Sequence, residues 1–158
     1  MGEIVEGFFV EGDPELIVKL ELLGAGVREG ETLKLPLIEA AYFQEKGAID
    51  TGKGIDELLE LAGELGKEKF AVLKELRDAG YIVRLGEGSS DLIRVYRKGI
   101  RVGEDRTESV LKVLAEGEKP DLLEDLAGAA KLRKALHYAF VSPEGEIVFV
   151  KAYRAGFD

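Results

Sequence analysis

The sequence predicts an α/β (α+β) protein in two parts: a small N-terminal α/β unit over residues 1–66, and a C-terminal unit over 67–158 built as a mixed sheet flanked by helices. Three observations lead there. Apolar residues recur at strand and helix periods in alternation along the whole chain. The pattern changes near residues 66–69, where a leucine stripe loosened by glycine gives way to a new helical repeat. From that point the elements read α-β-β-β-α-β-β, an order that buries its apolar faces as a sheet covered by helices.

Taken in order, Ile4 to Val10 has the β-branched and aromatic content of a strand. Asp13-Pro14 then supplies an N-cap and a first helical residue with φ already set, opening a helix that Gly24 ends. Val27 to Leu35 alternates about Glu29-Gly30-Glu31 as a hairpin, with Leu33 and Leu35 on one face. Pro36 opens a helix carrying Leu37, Ala40, Ala41 and Phe43 at helical spacing, and Gly47 stands where a left-handed stop is needed. Ile55 to Leu65 repeats Leu58, Leu59, Leu61 and Leu65 as one helical stripe, weakened at its end by Gly63 and Gly66. In the second part Phe70, Leu73 and Leu76 line a helix that Gly80 ends. Strands are expected at Tyr81 to Leu85, Leu92 to Arg97 and Ser109 to Leu114, followed by a helix from Pro120 to Ala135. Two closing strands, Leu136 to Val141 and Glu146 to Tyr153, are joined by the turn Ser142-Pro143-Glu144-Gly145.

An apolar content of 46% beside 34% charged residues excludes a disordered class, and 158 residues suffice for one sizeable core or two small ones. There is no Cys and a single His, His137, so disulfides, Cys-ligated zinc and His-rich metal sites are excluded. No apolar run approaches the ~20 residues of a membrane span, and the N-terminus lacks a basic signal-peptide start, so a cytoplasmic protein is expected. Dense Glu, Lys and Arg with a single Met fits a hyperthermophile's bias.

Within a net charge of −9, Arg94, Arg97, Lys98, Arg101 and Arg106 form one basic stripe, the natural landing place for a polyanion such as RNA. Lys131, Arg133 and Lys134 form a second cluster that would frame the same site. The competing reading is a solvated face whose cations pair with the many acids.

Several segments resemble the archaeal tRNA-splicing endonucleases. Leu37-Ile38-Glu39-Ala40-Ala41-Tyr42-Phe43-Gln44-Glu45-Lys46-Gly47 is similar to that family's P-x-E-A-x-Y-L-x-E-R-G helix. Leu76-Arg77-Asp78-Ala79-Gly80-Tyr81-Ile82-Val83-Arg84 resembles its L-R-x-R-G-Y-V-V-K, and Arg94-Val95-Tyr96 the end of its D-F-R-V-Y. Leu132-Arg133-Lys134-Ala135-Leu136 with Ser142-Pro143-Glu144-Gly145-Glu146 resembles V-R-K-x-L…D-x-x-G-D. Four ordered matches span nearly the whole chain.

The resemblance implies a restriction-endonuclease-like C-terminal fold and an RNA cut at a bulge-helix-bulge in precursor tRNA, without metal or cofactor, leaving a 2′,3′-cyclic phosphate and a 5′-hydroxyl. It implies a Tyr, His and Lys triad: a base for the 2′-OH, an acid for the leaving 5′-oxygen and a cation beside the pentavalent phosphate. Tyr96 falls at the Tyr position and Lys134 at the Lys position, but Arg106 falls at the position of the His. A guanidinium with a pKa above about 12 holds phosphate and cannot serve as the acid. His137, flanked by Leu136, Tyr138 and Phe140, reads as a core residue rather than a substitute. The family's base-stacking Arg, about seven residues before the Lys, falls near Ala127.

These departures point to the non-catalytic structural subunit of a heterotetramer, partnered by a catalytic subunit in a heterodimer that assembles to α2β2 on precursor tRNA. Tyr96 and Lys134 are then vestigial, and Arg97, Lys98, Arg101 and Arg106 are RNA-binding candidates. Glu116, Glu118 and Asp121 correspond to an acidic loop that enters a neighbour's basic pocket. The strand carrying Ile147 and Phe149 is apolar on both faces, which calls for cover from another chain. Two alternatives stay open at this point: an active subunit with a misaligned acid, and a scaffold on the same fold without a tRNA role.

Overall fold

The computed structural model describes residues 2–85, 92–97 and 107–157. Two sheets and five helices follow one another among these residues. The first sheet is antiparallel, in the order β1-β2-β4-β3, from β1 (Glu3–Val5), β2 (Phe8–Glu11), β3 (Val27–Glu29) and β4 (Thr32–Pro36). The helices α1 (Pro14–Leu22), α2 (Leu37–Glu45) and α3 (Ile55–Leu61) lie between and after these strands. The second sheet has the order β5-β6-β7-β8-β9, from β5 (Ile82–Arg84), β6 (Ile93–Tyr96), β7 (Thr107–Ala115), β8 (Ala135–Val141) and β9 (Ile147–Ala152). Only β7 and β8 pair in parallel, with α5 (Leu122–Leu132) as their crossover. The sheet is therefore mixed, and the α/β class stands. No helix among the described residues is long and apolar enough to cross a membrane.

Several local signals act as expected. Asp13 caps α1, its carboxylate accepting from the Glu15 N–H at 3.1 Å, and Pro14 occupies the first turn. Gly47 at φ 81° and Gly80 at φ 98° stop α2 and α4 (Gly66–Asp78) in the left-handed region that favours glycine. Three boundaries differ. The run Ile4 to Val10 is a hairpin rather than one strand, because Glu6 and Gly7 both take positive φ (48° and 84°), the geometry of a primed two-residue turn. The stripe Ile55 to Leu65 breaks at Leu61, which is exposed, and Leu65 sits left-handed at φ 59° as the N-cap of α4. The helix expected from Pro120 to Ala135 ends at Leu132, and Ala135 opens β8.

Helix α4 is the shared wall. It packs on α2 and α3 on one side and on β5, β7 and β8 on the other. One cluster of buried side chains accordingly runs from Phe9, Leu33 and Leu35 through Val72 and Leu73 to Leu111, Val113 and Ala139. A second, smaller cluster lies on the opposite sheet face beneath α5, around Val110, Leu114, Leu136 and Tyr138.

A polar latch ties the two sheets through the same wall. Glu39 of α2 is buried and accepts from the Gly26 N–H at 2.7 Å. The Arg77 guanidinium lies 3.6 Å from that carboxylate, donates to the carbonyls of Leu23 and Gly24 at 2.5 and 3.0 Å, and rests 5.2 Å from the Phe43 ring centre. Arg84 donates to the Gly26 carbonyl at 2.7 Å. Tyr42 donates to Asp78 at 2.9 Å, and Lys46 reaches the same carboxylate at 2.9 Å. Burial, reinforced by the hydrogen bond to Asp78, pushes the Tyr42 phenol up to about 12. Gly26 has no room for a side chain, since a Cβ there would stand 2.9 Å from both Leu33 and the Lys34 carbonyl.

Candidate nucleic-acid interface

The register of the second sheet decides which predicted site residues meet. Ile82 pairs with Tyr96, Tyr96 with Thr107, Ser109 with Ala135, and Leu136 with Ala152. Tyr96, the start of β7 and Lys134 therefore share one end of the sheet. Arg97 follows Tyr96 at that end and is exposed. Lys98, Arg101 and Arg106 lie outside the described residues.

Two backbone devices shape this end. Between Val95 and Tyr96 the β6–β7 register shifts, leaving Glu108 as an extra residue on β7. Such a bulge sharpens local twist and re-aims neighbouring side chains. Tyr96 nonetheless turns inward and is 6% exposed, so its phenol packs in the core as an ordinary strand-end aromatic does. At the end of α5 the Arg133 N–H donates to Ala130 and the Lys134 N–H to Ala129, a Schellman closure with Arg133 at the left-handed position, φ 56°. Non-glycine residues are uncommon there, and the strain of about 1–2 kcal/mol is what it takes to reverse the chain within one residue and set half-buried Lys134 at the mouth of β8.

The same register recruits cations that periodicity did not single out. Lys151 pairs opposite His137, and Arg154 lies two residues beyond Ala152, both exposed. With Arg97, Arg133 and Lys134 they make this end of the sheet basic. At the opposite end, where β7 leaves and β8 turns into β9, stand Glu116, Glu118, Glu144 and Glu146, all exposed. The sheet is polar from end to end. Only the β8–β9 pairing could have exposed this, because Lys151 and Arg154 are far in sequence from the basic stripe. His137 sits half-buried on β8, two residues in from Ala135 at that end. Ala127 is an exposed position of α5.

Helix α5 is pinned by a buried carboxylate. Asp125, 7% exposed, accepts from the Lys112 ammonium at 3.2 Å and from the Tyr138 hydroxyl at 2.7 Å. Burial first, and then that hydrogen bond, pushes the Tyr138 phenol well above its ordinary range. The acidic loop before α5 is equally constrained. Asp121 caps the helix by accepting from the Glu124 N–H at 3.3 Å, and Glu118 accepts from the Ala115 N–H at 2.9 Å. Two of the three predicted interface acids thus also hold their own loop, while Leu122 and Leu123 stand exposed beside them.

Among the described residues strand β9 is one of the two edges of the second sheet, β5 being the other. Val148 (60% exposed), Phe149 and Val150 face outward on both sides of it. Ile147 is half-buried against the main core, so it contributes less to the open face than its neighbours do.

A family model for the catalytic C-terminal domain of tRNA intron endonucleases matches residues 67–149, more than half of the 158-residue chain. The chain belongs to that family. Among its relatives, the tRNA-splicing endonuclease of Pyrococcus abyssi is 33% identical over an alignment that covers 96% of both chains. The tRNA-splicing endonuclease of Pyrococcus horikoshii is 33% identical over 81% of this chain and 79% of its own. That of Methanothermobacter thermautotrophicus is 31% identical over 75% of each. The resemblance drawn from four short segments is thereby shown at the level of the family. Two of the family-like segments, around Glu39-Tyr42 and Arg77-Asp78, touch each other as the latch beneath the core rather than at the basic end.

Proposed function

We propose that this chain is the structural, non-catalytic subunit of a tRNA-splicing endonuclease, joining a catalytic subunit in a heterodimer that assembles to α2β2 around precursor tRNA cut at bulge-helix-bulge sites. One observation carries the reading. At the sheet end where the triad would stand, a 6%-exposed phenol, Tyr96, is joined in sequence by Arg106 at the position of the acid. A buried phenol does not reach a 2′-OH, and a guanidinium does not release a proton near neutral pH. Lys134 alone retains the chemistry of its position. On this reading the chain divides at residues 66 and 67, and Arg97, Lys98, Arg101 and Arg106 hold phosphates while the partner cuts. The apolar edge at Ile147 to Val150 supports pairing with the partner's strand, since an exposed edge with both faces apolar is a template for strand addition. Glu116, Glu118 and Asp121, displayed on a loop already fixed by its own hydrogen bonds, support insertion into a basic pocket at little cost in ordering.

The test is cleavage of precursor tRNA in a chelator. The purified chain alone leaves the RNA intact, and co-expression with a catalytic subunit from the same source restores cutting. Lys134→Ala in that complex leaves the rate near wild type. Cleavage by the chain alone, lost on Lys134→Ala, overturns the proposal. On light scattering, Glu116→Lys/Glu118→Lys is expected to split the tetramer into dimers, and Phe149→Asp to dissolve the dimer itself. Wild-type mass for either variant contradicts the corresponding interface.

A further inference from the structure

The first sheet carries apolar residues on both of its faces, and the register separates them. On one face Ile4 pairs with Phe9, Phe9 with Leu35, and Arg28 with Leu33. Phe9, Leu33 and Leu35 are buried there in the main core, to which α1 adds Ile17 and Leu20. The other face is a small grid. Val5, Phe8 and Pro36 form one row across the strands, Glu3, Val10, Lys34 and Val27 the next, and Thr32 with Glu29 the last. Val5 is 42% and Val27 47% exposed, and neither they nor Phe8 and Val10 belong to either buried cluster. An antiparallel sheet with one wet face ordinarily makes that face polar. Valines and a phenylalanine stand there instead, and Lys34 among them lies 4.3 Å over the Phe8 ring and 4.0 Å from Glu29.

Size limits what can cover this face. Three interstrand steps of ~4.8 Å make it roughly 14 Å wide, and strands of three to five residues make it about as tall, a footprint of roughly 200 Å². A stable dimer needs about 800 Å² from each partner, so a second copy laid on this face alone falls short. One α-helix, about 10–12 Å across, fills it. Charge selects the kind of helix. Glu3 and Glu29 stand exposed on the two edge strands, Glu6 and Glu31 stand exposed in the adjoining turns, and Lys34 alone opposes them, so four acids less one base leave a local net of −3. Residues 1–66 as a whole hold fifteen acidic and five basic side chains, a net of −10. Nucleic acid, an anionic lipid surface and a like-charged copy are all repelled there.

We propose that the outer face of the first sheet is a docking site for one basic amphipathic helix of another protein, whose apolar stripe lies on Val5, Phe8, Val10 and Val27 and whose flanking lysines or arginines reach Glu3 and Glu29. The apolar grid supplies the affinity and the acids on the two edge strands supply the choice of partner, since a helix of the same stripe with acidic flanks meets like charge on both sides. The site lies on the first sheet, apart from the basic end of the second, and does not depend on whether this chain cuts RNA.

The experiment uses the purified full chain with two synthetic fluorescein-labelled helical peptides that share one leucine stripe, one flanked by lysines and arginines and its twin flanked by glutamates. Fluorescence anisotropy at low salt is expected to show the basic peptide binding at least about tenfold more tightly than its twin. Val5→Ser/Val27→Ser should weaken the basic peptide by about tenfold or more, and because both valines are well exposed the variant should keep the wild-type melting temperature. Glu3→Gln/Glu29→Gln leaves the apolar grid whole and should weaken it about three-fold at low salt, a difference that high salt removes. Val18→Ser/Leu22→Ser, on the exposed side of α1 across the core, should change affinity less than about two-fold. Methyl NMR should shift Val5, Val10 and Val27 on binding and leave Val148 and Val150 in place. A wild-type chain that binds neither peptide, equal binding of the twins, an unaltered affinity in Val5→Ser/Val27→Ser, or shifts centred on Val148 and Val150 overturns the docking site. So does a fall in mass of the chain by light scattering on Val5→Ser/Val27→Ser, which would make the face a contact between copies.

Discussion

Asp125→Ala is the sharpest test of how this fold holds its functional end, because one carboxylate fixes the helix that carries both the acidic loop and the Arg133-Lys134 reversal. The magnitude follows from what the carboxylate does. It takes one hydrogen bond from an ammonium and one from a phenol while only 7% exposed. Losing a charge-assisted bond removes about 1.5–3 kcal/mol, and leaving the buried Tyr138 hydroxyl without an acceptor costs about 1–3 kcal/mol more. Lys112 is 23% exposed, so water reaches its ammonium and relieves part of the penalty. The expected loss is therefore about 3 kcal/mol, at the low end of the range for breaking a buried pair and a large share of the stability of a small protein.

Urea unfolding measures the loss, and amide exchange locates it. The α5 amides should exchange by local opening well before those of β7 and β8, because the cluster beneath α5 is the smaller of the two cores. Asp125→Ala and Tyr138→Phe remove the same bond, so the double variant should be more stable than additivity predicts by at least about 1 kcal/mol. Strict additivity, or an Asp125→Ala loss under 1 kcal/mol, would refute the pinning role and leave α5 held by apolar contacts alone.

Two further outcomes follow from named geometry. Arg133→Gly should raise stability by up to about 1 kcal/mol in thermal unfolding, since φ 56° is unstrained for glycine, although some of the gain is offset by the freer unfolded chain; a destabilised variant would mean that the Arg133 side chain makes contacts worth more than the strain. Tyr42 and Tyr138 both have folded phenol pKa values raised above the unfolded value near 10, so their contribution is fully present below pH ~10 and is lost as pH climbs toward the folded values. The wild type should then lose melting temperature from pH 9.5 to 11.5 more steeply than Tyr42→Phe or Tyr138→Phe, and parallel slopes would contradict the assignment.

How much of this was legible in the sequence depends on the range of the interaction. Caps and stops acting within a few residues were readable: Asp13-Pro14, Gly47 and Gly80 each stand where local chemistry requires them. The end of α5 was not. Lys131, Leu132, Arg133 and Lys134 are good helix formers, and no glycine marks the reversal; the helix stops because Ala135 pairs with Ser109 across a parallel ladder, a contact between distant segments that outweighs propensity. Leu65 was misplaced for a similar reason. Gly66 must lie so close to α3 that a Cβ there would stand 2.2 Å from the Leu59 carbonyl, and the chain turns through Leu65 to make that approach. At the candidate site, Tyr96 and Lys134 were found by resemblance, but Asp125, Lys112 and Tyr138 were invisible, since nothing in a helix stripe says which acid faces inward.

The distribution of family-like segments explains how such a chain can stay recognisable whether or not it cuts RNA. Glu39, Tyr42, Arg77 and Asp78 belong to the latch that joins α2 to α4, and breaking a buried charge there costs about 3–5 kcal/mol, enough to unfold a marginal protein. Arg106, which the proposed function sets at the position of the acid, immediately precedes β7 in sequence, and a guanidinium there cannot serve as a proton donor near neutral pH. On the proposed reading, selection on the fold and selection on the chemistry act on different residues, so the second can lapse while the first continues. The exposed β9 edge adds a constraint of its own: a chain that no longer cuts but still lends its strand to a partner must keep Val148, Phe149 and Val150 apolar, at the standing risk of aggregation that such an edge carries when alone.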